Sequence, residues 1–363
     1  MIFYLDRSLT TINNANVNSH FIDLIENLCS ARKNGRHIIY SEIPTIEHVK
    51  NLDNLSDRAK ATLARVAKRV RGKLSIFNAC STYVKIVSTP NTFQKITLPD
   101  GKEEIQISSD SISGDDLFSK TRLLVENRTD GIFYGGIAKM SLHDSPQLQN
   151  VLLNYEIITG GGSQTPREYQ NLKTTQNLTL CMVDSDVDYL GAPFGGNTAA
   201  PIYNMDITTP PVTARSLILN CYSAENLIHP LMLKHAMKLR GTEPWFIEIN
   251  HYYQKDLWMF LALKSRKTCL DFSTQNDKTK YWLSKRSEFP TPPCAPLCIP
   301  ASCSIFSPLH NTTLAKIATF LEDENYSFKS EITFNNHSIF SEWNSITTHL
   351  LSWACSGDRI STL

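Results

Sequence analysis

Three aspartates spaced two apart follow an apolar run in this 363-residue chain. The run is LTLCMV at 178–183, and the acids are Asp184, Asp186 and Asp188. Carboxylates are rare at the end of a buried strand unless something compensates their charge. Because side chains alternate along a strand, a chain that stays extended would place Asp184 and Asp186 on the same side. Two such carboxylates raise each other's pKa, so the pattern favours a bound cation.

Carboxylate ligands without His or Cys are typical of Mg²⁺ or Mn²⁺ sites. A third acid, Glu126, ends another strand-like segment, TRLLVE. It would either complete a metal site or act as a general base. We therefore expect a divalent metal centre to which separate strands contribute.

The segments around these acids predict how they are positioned. From residue 119 the chain reads as strand, helix, strand, helix, strand: TRLLVE, TDGIFYGGIAKM with Thr129 as its cap, LLNYEIITG, SQTPREYQNL and LTLCMVD. This order is typical of a parallel sheet with helices on its faces, whose strands carry reactive groups at their carboxyl ends. The glycine run 160–162 predicts a close-approach turn, and no Gly-Lys-Ser/Thr follows it as a phosphate loop would require.

The rest of the chain predicts an α/β protein in three parts. Residues 1–117 alternate strand-like and helix-like segments, with Pro-Asp-Gly at 99–101 as a hairpin turn, and predict a small N-terminal α/β unit with a linker. Residues 118–240 form the metal-binding core, and residues 241–363 read as mainly helical. In that last part, Cys294, Cys298 and Cys303 leave open a zinc site or a Pro-rich connector with incidental thiols.

One helix of the N-terminal unit is strongly basic. It begins after Ser56, and Asp57 is its only acid. Its cations indicate either a solvated surface or a face that contacts nucleic-acid phosphates or a partner. The candidate nucleic-acid-binding residues are Arg65, Lys68, Arg69, Arg71 and Lys73.

The composition limits the functional class. The net charge is +1, from 36 Lys and Arg against 35 Asp and Glu, so a nucleic-acid surface has to be a local patch. No secretory signal is recognisable at the start, and no apolar run approaches the roughly 18 residues of a membrane span. Most of the nine cysteines lie singly in apolar segments. These features predict a cytoplasmic protein that does not enter a membrane.

Three segments together resemble a known family. LVENRTD at 124–130, the glycines at 160–162 and VDSDVD at 183–188 are similar, in that order, to the motifs of Toprim domains, the metal-binding α/β fold of topoisomerases, DnaG-type primases and OLD-family nucleases. The closest likeness is to Toprim proteins of prokaryotic defence, such as the effector of the PARIS anti-phage system. YSAENLI at 222–228 is similar to a Tyr-x-x-Glu-Asn segment of those relatives. Asn127 departs from the usual Gly, although Asn tolerates left-handed backbone angles.

The resemblance implies roles for individual residues. Glu126 would be a metal ligand or general acid/base, and Asp184 and Asp186 would bind the metal, which makes these three the expected catalytic residues. Two ions are implied. The full set of expected metal ligands is Glu126, Asp130, Asp184, Asp186, Asp188 and Glu225. For Asp188 a capping role, and for Glu225 a place at the start of the following helix, remain alternatives.

The resemblance also implies a function. The implied function is that of a divalent-metal-dependent nuclease that cuts DNA or RNA as a toxic effector of anti-phage defence. A separately encoded ATPase is the implied regulator, and homo-oligomerisation is left open. The alternative is a non-catalytic Toprim-like module that binds Mg²⁺, a nucleotide or a partner. A cation that stabilises the transition state is expected for phosphoryl transfer, and the sequence does not choose among Arg128, Arg167 and Lys234.

Overall fold

Two large β-sheets, each mainly or wholly parallel, and one small antiparallel sheet of two strands organise the chain. The computed structural model describes residues 1–272, 276–289, 305–306, 308–323, 327–332 and 337–360. The strands are β1 Ile2–Leu5, β2 Ile38–Tyr40, β3 Thr82–Ile86, β4 Phe93–Thr97, β5 Glu103–Ile107, β6 Thr121–Val125, β7 Leu152–Leu153, β8 Tyr155–Thr159, β9 Thr179–Val183, β10 Ala214–Ile218 and β11 Cys355–Ser356. The helices are α1 Ser19–Lys33, α2 Ile43–Lys50, α3 Asp57–Arg69, α4 Leu74–Ala79, α5 Arg128–His143, α6 Thr165–Lys173, α7 Ala199–Thr208, α8 Pro230–Ala236, α9 Pro244–Tyr253, α10 Asp277–Ser284, α11 Thr313–Glu322 and α12 His337–Ala354.

The first sheet belongs to the N-terminal segment and has the strand order β2-β1-β3-β5-β4. All its neighbouring strands are parallel except β4 and β5, which are antiparallel. The turn between those two contains Gly101 with φ +84°, which confirms the predicted hairpin. Helix α3 begins where the sequence indicates, because the Ser56 side chain accepts a hydrogen bond from the Ala59 amide.

The second sheet is wholly parallel and has the order β10-β9-β6-β8. In its register Val125 lies beside Met182 on one side and Thr159 on the other. The residues that follow these strands therefore meet at one edge, as the strand–helix alternation predicts. The α/β class, the parallel sheet with flanking helices and the helical C-terminal region are confirmed.

The glycine run after β8 forms a tight turn. A Cβ at Gly160 would come within 2.3 Å of the Thr165 hydroxyl oxygen and 2.6 Å of the Thr165 Cα, and Gly161 and Gly162 have φ of +74° and +62°. Side chains larger than hydrogen are disfavoured at all three positions, either by space or by backbone angle. The predicted close-approach turn is confirmed.

Helix α5, which follows β6, is held from behind by the C-terminal helices. It packs against α11 and α12, and Phe133, Ile137 and Met140 on it are fully buried. The α12 side chain Trp343 donates a hydrogen bond from Nε1 to the Leu227 carbonyl at 2.9 Å. The C-terminal helices thus fix α5 and the loop at Leu227, which flank the edge of the sheet where β6 and β9 end.

The three clustered cysteines of the C-terminal region, Cys294, Cys298 and Cys303, lie outside the described residues, so the zinc alternative stays a prediction.

Among the helices in the described ranges, none combines the length and apolarity that crossing a membrane requires.

Candidate metal centre

Glu126 and Asp184 form the centre of the carboxylate edge. They directly follow the adjacent parallel strands β6 and β9, and the charge of Glu126 acts on Asp184. Asp184 Oδ1 in turn accepts from the Ala224 amide at 3.0 Å and lies 3.4 Å from the Tyr134 hydroxyl. The ends of β6 and β9 therefore bring both acids to the same edge of the sheet.

Asp130 lies in the first turn of α5 and is buried. The helix begins at Arg128 with Asn127 as its cap, so the expectation that Thr129 caps it is wrong. The Asn127 and Asp130 side chains form a capping box, in which Asp130 Oδ2 accepts from the Asn127 amide at 3.1 Å. Asn127 has φ −132°, an extended backbone that needs no glycine, which explains how Asn serves at this position.

Glu225 is buried in a short 3₁₀ turn, Ala224–Leu227. Helix α8 begins only at Pro230, so Glu225 is not the N-terminal acid of that helix. Its carboxylate accepts from the Ser223 hydroxyl at 2.7 Å and pairs with Lys264 Nζ at 3.0 Å. The family-like segment 222–228 thus brings a further carboxylate to the edge.

Neighbouring hydrogen bonds hold the loop that carries Lys264. Asn226 Nδ2 donates to the Leu261 carbonyl at 2.9 Å, and Trp258 Nε1 donates to the Asn226 carbonyl at 2.8 Å. Asn226 and Trp258 are fully buried, so these bonds are shielded from water. They tie the segment that contains Glu225 to the segment that contains Lys264.

Asp186 does not continue the strand. Strand β9 ends at Val183, and Asp186 has φ +55°, with its amide donating to the Tyr222 carbonyl at 3.0 Å. Gly195 packs closely on it, since a Cβ there would come within 2.5 Å of Asp186 Oδ2. The chain therefore turns at Asp186, and the expectation that an extended chain aligns it with Asp184 is wrong. Asp186 remains near the cluster, because its charge acts on Glu126.

Asp188 has a different partner. Its carboxylate forms an ion pair with Lys278 of α10. Its charge still contributes to the raised pKa of Asp186. Among the six expected ligands, Asp188 is therefore the one that pairs with a lysine of a helix far along the chain, α10.

Four acids of the edge, Glu126, Asp130, Asp184 and Asp186, have raised pKa values. Burial, followed by the charges of Asp130, Glu126 and Glu225, raises the pKa of Asp184 well above its usual value. Burial, then Asp186 and Asp130, raise the pKa of Glu126 to about 7. Burial is also the largest cause for Asp130, whose pKa is raised to about 6, and for the smaller rise at Asp186. Like charges are therefore concentrated here without full compensation.

Lys264 is the cation that acts on this cluster. Its charge lowers the pKa of Glu126, Asp130, Asp184 and Asp186, and its own pKa is raised because its attraction to Glu225 and Asp184 outweighs partial burial. The candidates for this cation from the sequence were Arg128, Arg167 and Lys234, and they did not include Lys264. The sequence feature that could have identified Lys264 is its place after the apolar run WMFLAL, which does not distinguish it from other loop lysines.

The donor set fits a hard divalent cation in chemistry but is not arranged as a finished site. Carboxylate oxygens are the ligands that Mg²⁺ and Mn²⁺ prefer. Across the described ranges, however, no three His, Cys, Asp or Glu side chains are placed so that they could hold one metal ion. The geometry gives the reason, since Glu225 faces Lys264, Asp130 caps α5 and Asp188 faces Lys278. Metal binding would require the carboxylates to leave some of these partners.

The predicted nucleic-acid-binding residues lie elsewhere, on α3 and the turn that follows it. Four of the five line a cavity together with Arg32 and Arg359, and the fifth, Arg71, is exposed outside it. A contact of these residues with nucleic acid stays a prediction.

We expect Glu126→Gln to stabilise the metal-free protein in a pH-dependent way. Because the folded-state pKa of Glu126 is raised to about 7, the wild type loses stability as the pH rises from about 4.5 through 7. Gln stays neutral at every pH and has nearly the same shape as Glu. Urea unfolding in EDTA should therefore find the variant more stable by about 1–3 kcal/mol at pH 8 and nearly equal at pH 4.

Glu331→Gln makes the same change at an exposed position and serves as the control. It should change the free energy of unfolding by less than about 0.5 kcal/mol at both pH values. An equal stability of Glu126→Gln and wild type at pH 8 would contradict the electrostatic description of the edge.

Comparisons of the chain with protein-family models, with curated proteins and with solved structures find no match. The likeness to Toprim domains therefore stays a prediction from the sequence motifs.

Proposed function

We propose that this chain is a divalent-metal-dependent nuclease that hydrolyses phosphodiester bonds of DNA or RNA. The observation that carries the proposal is the pairing of Glu126 and Asp184 at the ends of adjacent parallel strands, with further acids acting on both. Folding this many carboxylates together costs stability that an ordinary surface would not require. Acids with raised pKa values at the carboxyl edge of a parallel sheet are typical of functional sites.

Each residue has a part in this proposal. Glu126, Asp130, Asp184, Asp186 and Glu225 would hold one or two Mg²⁺ or Mn²⁺ ions. Such ions, when bound, activate the attacking water and neutralise charge on the phosphate. The capping box with Asn127 fixes the orientation of Asp130, and the Ala224 amide fixes that of Asp184. Lys264 offers a positive charge to a phosphate that approaches the edge.

A second candidate is a non-catalytic module in which the acids have a structural or regulatory role. The ion pair between Glu225 and Lys264 favours it, because a lysine already compensates part of the charge. The arrangement of the acids without a finished three-ligand group favours it as well. Under this candidate Lys264 is the permanent counterion and the protein needs no metal.

The experiment that separates these candidates is a cleavage assay. The metal-free chain is incubated with plasmid DNA, tRNA or total RNA in Mg²⁺, Mn²⁺ or EDTA, alone and with the product of any neighbouring ATPase gene. The nuclease proposal expects cleavage of at least one substrate with metal and none with EDTA. Intact substrates under every condition would favour the non-catalytic module.

We extend the proposal to a biological role, that of a toxic effector in bacterial anti-phage defence under the control of a separately encoded ATPase. This step depends on the resemblance of the sequence motifs alone. Expression of the wild type with its regulator during phage infection should stop host growth, and expression of an Asp184→Asn variant should not. Equal growth of both strains would argue against this role.

A further inference from the structure

A second charged feature lies on the N-terminal α/β unit, apart from the residues of the carboxylate edge. It is a cavity of about 530 Å³ between α1, β2, α3 and the segment that follows β11. Its apolar wall includes Ile39, Val66 and Val70. Its cationic residues are Arg32, Arg65, Lys68, Arg69, Lys73 and Arg359.

Six cations converge on this cavity, and the Asp358 carboxylate lies close enough to act on two of them, Arg32 and Lys73. None of the described residues that line it is an Asp or a Glu. Arg32 is only 7% exposed and forms part of the buried wall, with Nη1 donating to the Asp358 carbonyl at 2.8 Å. Six positive side chains around one concave space therefore produce a strong positive potential inside it.

The electrostatic cost of this arrangement is visible in two of its members. Burial, and after it the charge of Arg69, lowers the pKa of Arg32. Burial, and after it the charge of Arg32, lowers the pKa of Lys73, and the carboxylate of Asp358 offsets only part of these effects. The cations therefore repel one another, and an anion bound among them would relieve that repulsion.

The shape of the cavity selects among anions. Its volume lies within the range of small-molecule sites, roughly 300–1,000 Å³, and its wall offers apolar side chains beside the charged ones. A nucleic-acid backbone is typically followed by cations along an exposed groove or stripe. Arg71, which is exposed on the same basic segment, does not line the cavity. This distribution favours a compact ligand with clustered phosphates and an apolar part.

We propose that this cavity is a binding site for a small polyphosphorylated ligand of the nucleoside triphosphate class, held by Arg69 and Lys73 at its phosphates and by Val66 and Val70 at its apolar part. The site does not depend on the carboxylate edge or on metal. The proposal is therefore independent of the nuclease proposal and goes beyond it.

The test uses the full chain and ATP in EDTA at constant ionic strength, with binding followed by isothermal titration calorimetry. Wild type should bind one ATP per chain in a saturable manner, and adenosine at the same concentration should not bind. The double variant Arg69→Gln/Lys73→Gln should bind at least about tenfold more weakly, equal to about 1.4 kcal/mol, because it removes two charge-assisted contacts. Arg71→Gln is the matched control and should stay within about twofold of wild type.

Thermal unfolding keeps the result interpretable. Because the double substitution removes mutual repulsion, its Tm without ligand should not fall below that of wild type. If the double variant does not fold, Lys68→Gln, which changes an exposed lining residue, takes its place. Absence of ATP binding by wild type at millimolar concentration would overturn the proposal. An equal loss with Arg71→Gln, or binding of a single-stranded oligonucleotide that all these variants weaken alike, would overturn it in favour of a diffuse nucleic-acid surface.

Discussion

The Asp184→Asn variant is expected to lose nuclease activity by at least about 100-fold, equal to about 2.7 kcal/mol of activation free energy. Asn keeps an oxygen that can accept from the Ala224 amide and the Tyr134 hydroxyl, so the local hydrogen bonds persist. It removes the negative charge that the cation needs. Because burial raises the pKa of Asp184 well above its usual value, the neutral side chain should leave the metal-free protein at least as stable as wild type.

Two other Asp→Asn variants make this expectation specific. Asp277→Asn changes an exposed acid at the start of α10 and should keep full activity. Asp188→Asn should lose less than about tenfold, because Asp188 is already paired with Lys278 and contributes less to the binding of a cation. The rates are measured with the substrate that wild type cleaves best. A rate for Asp184→Asn within tenfold of wild type would rule out Asp184 as a required metal ligand.

Lys264→Met is expected to strengthen binding of Mn²⁺ by about tenfold. Lys264 pairs with Glu225 and attracts Asp184 and Asp130, so it competes with a divalent cation for the same charges. Removing one positive charge a few Å from the site is worth about 1.4 kcal/mol or more at the effective dielectric of a protein surface. Without metal the variant should be less stable by about 1 kcal/mol, because buried Glu225 loses its cation while Lys264 itself is half exposed.

Lys278→Met is the matched control for this measurement. It removes a lysine of similar exposure that pairs with Asp188 instead of Glu225. Its Mn²⁺ affinity should change by less than about threefold, since screening weakens the effect of charges that are farther away. If Lys264→Met binds Mn²⁺ more weakly than wild type, Lys264 does not compete with the metal and has to support the site in another way.

The strand pattern was sufficient to predict the edge at which the acids meet. Alternating strands and helices predict a parallel sheet, and the pairing of β6 with β9 then brings Glu126 and Asp184 to the same edge. The glycine run was readable for a similar reason, because only a tight turn requires three consecutive glycines before a helix. Local sequence rules cover both features.

Other features depend on contacts between distant segments and could not be predicted from the sequence. The left-handed turn at Asp186 is stabilised by Tyr222 and by close packing on Gly195, and neither is a neighbour in sequence. The ion pair between Lys264 and Glu225 depends on hydrogen bonds of Asn226 and Trp258. No periodicity in the chain reports such pairings, since they follow from tertiary packing.

The basic cavity is another feature that the sequence alone does not predict. The sequence identifies the cationic segment from Arg65 to Lys73, but not its concave shape. The shape depends on Arg32 from α1 and Arg359 near the end of the chain. A charge pattern along one helix therefore predicts a solvated surface or a face for nucleic acid or a partner, and it does not reveal the concave arrangement on which we base the proposal of a compact anion.

The most direct test of the central claim is a titration of the metal-free chain with Mn²⁺, followed by electron paramagnetic resonance of the free ion. We expect wild type to bind one or two Mn²⁺ per chain, and the Glu126→Gln/Asp184→Asn double variant to bind none at the same concentrations while remaining folded. Equal binding by both proteins, or no binding by wild type, would contradict the assignment of this carboxylate edge as a metal centre.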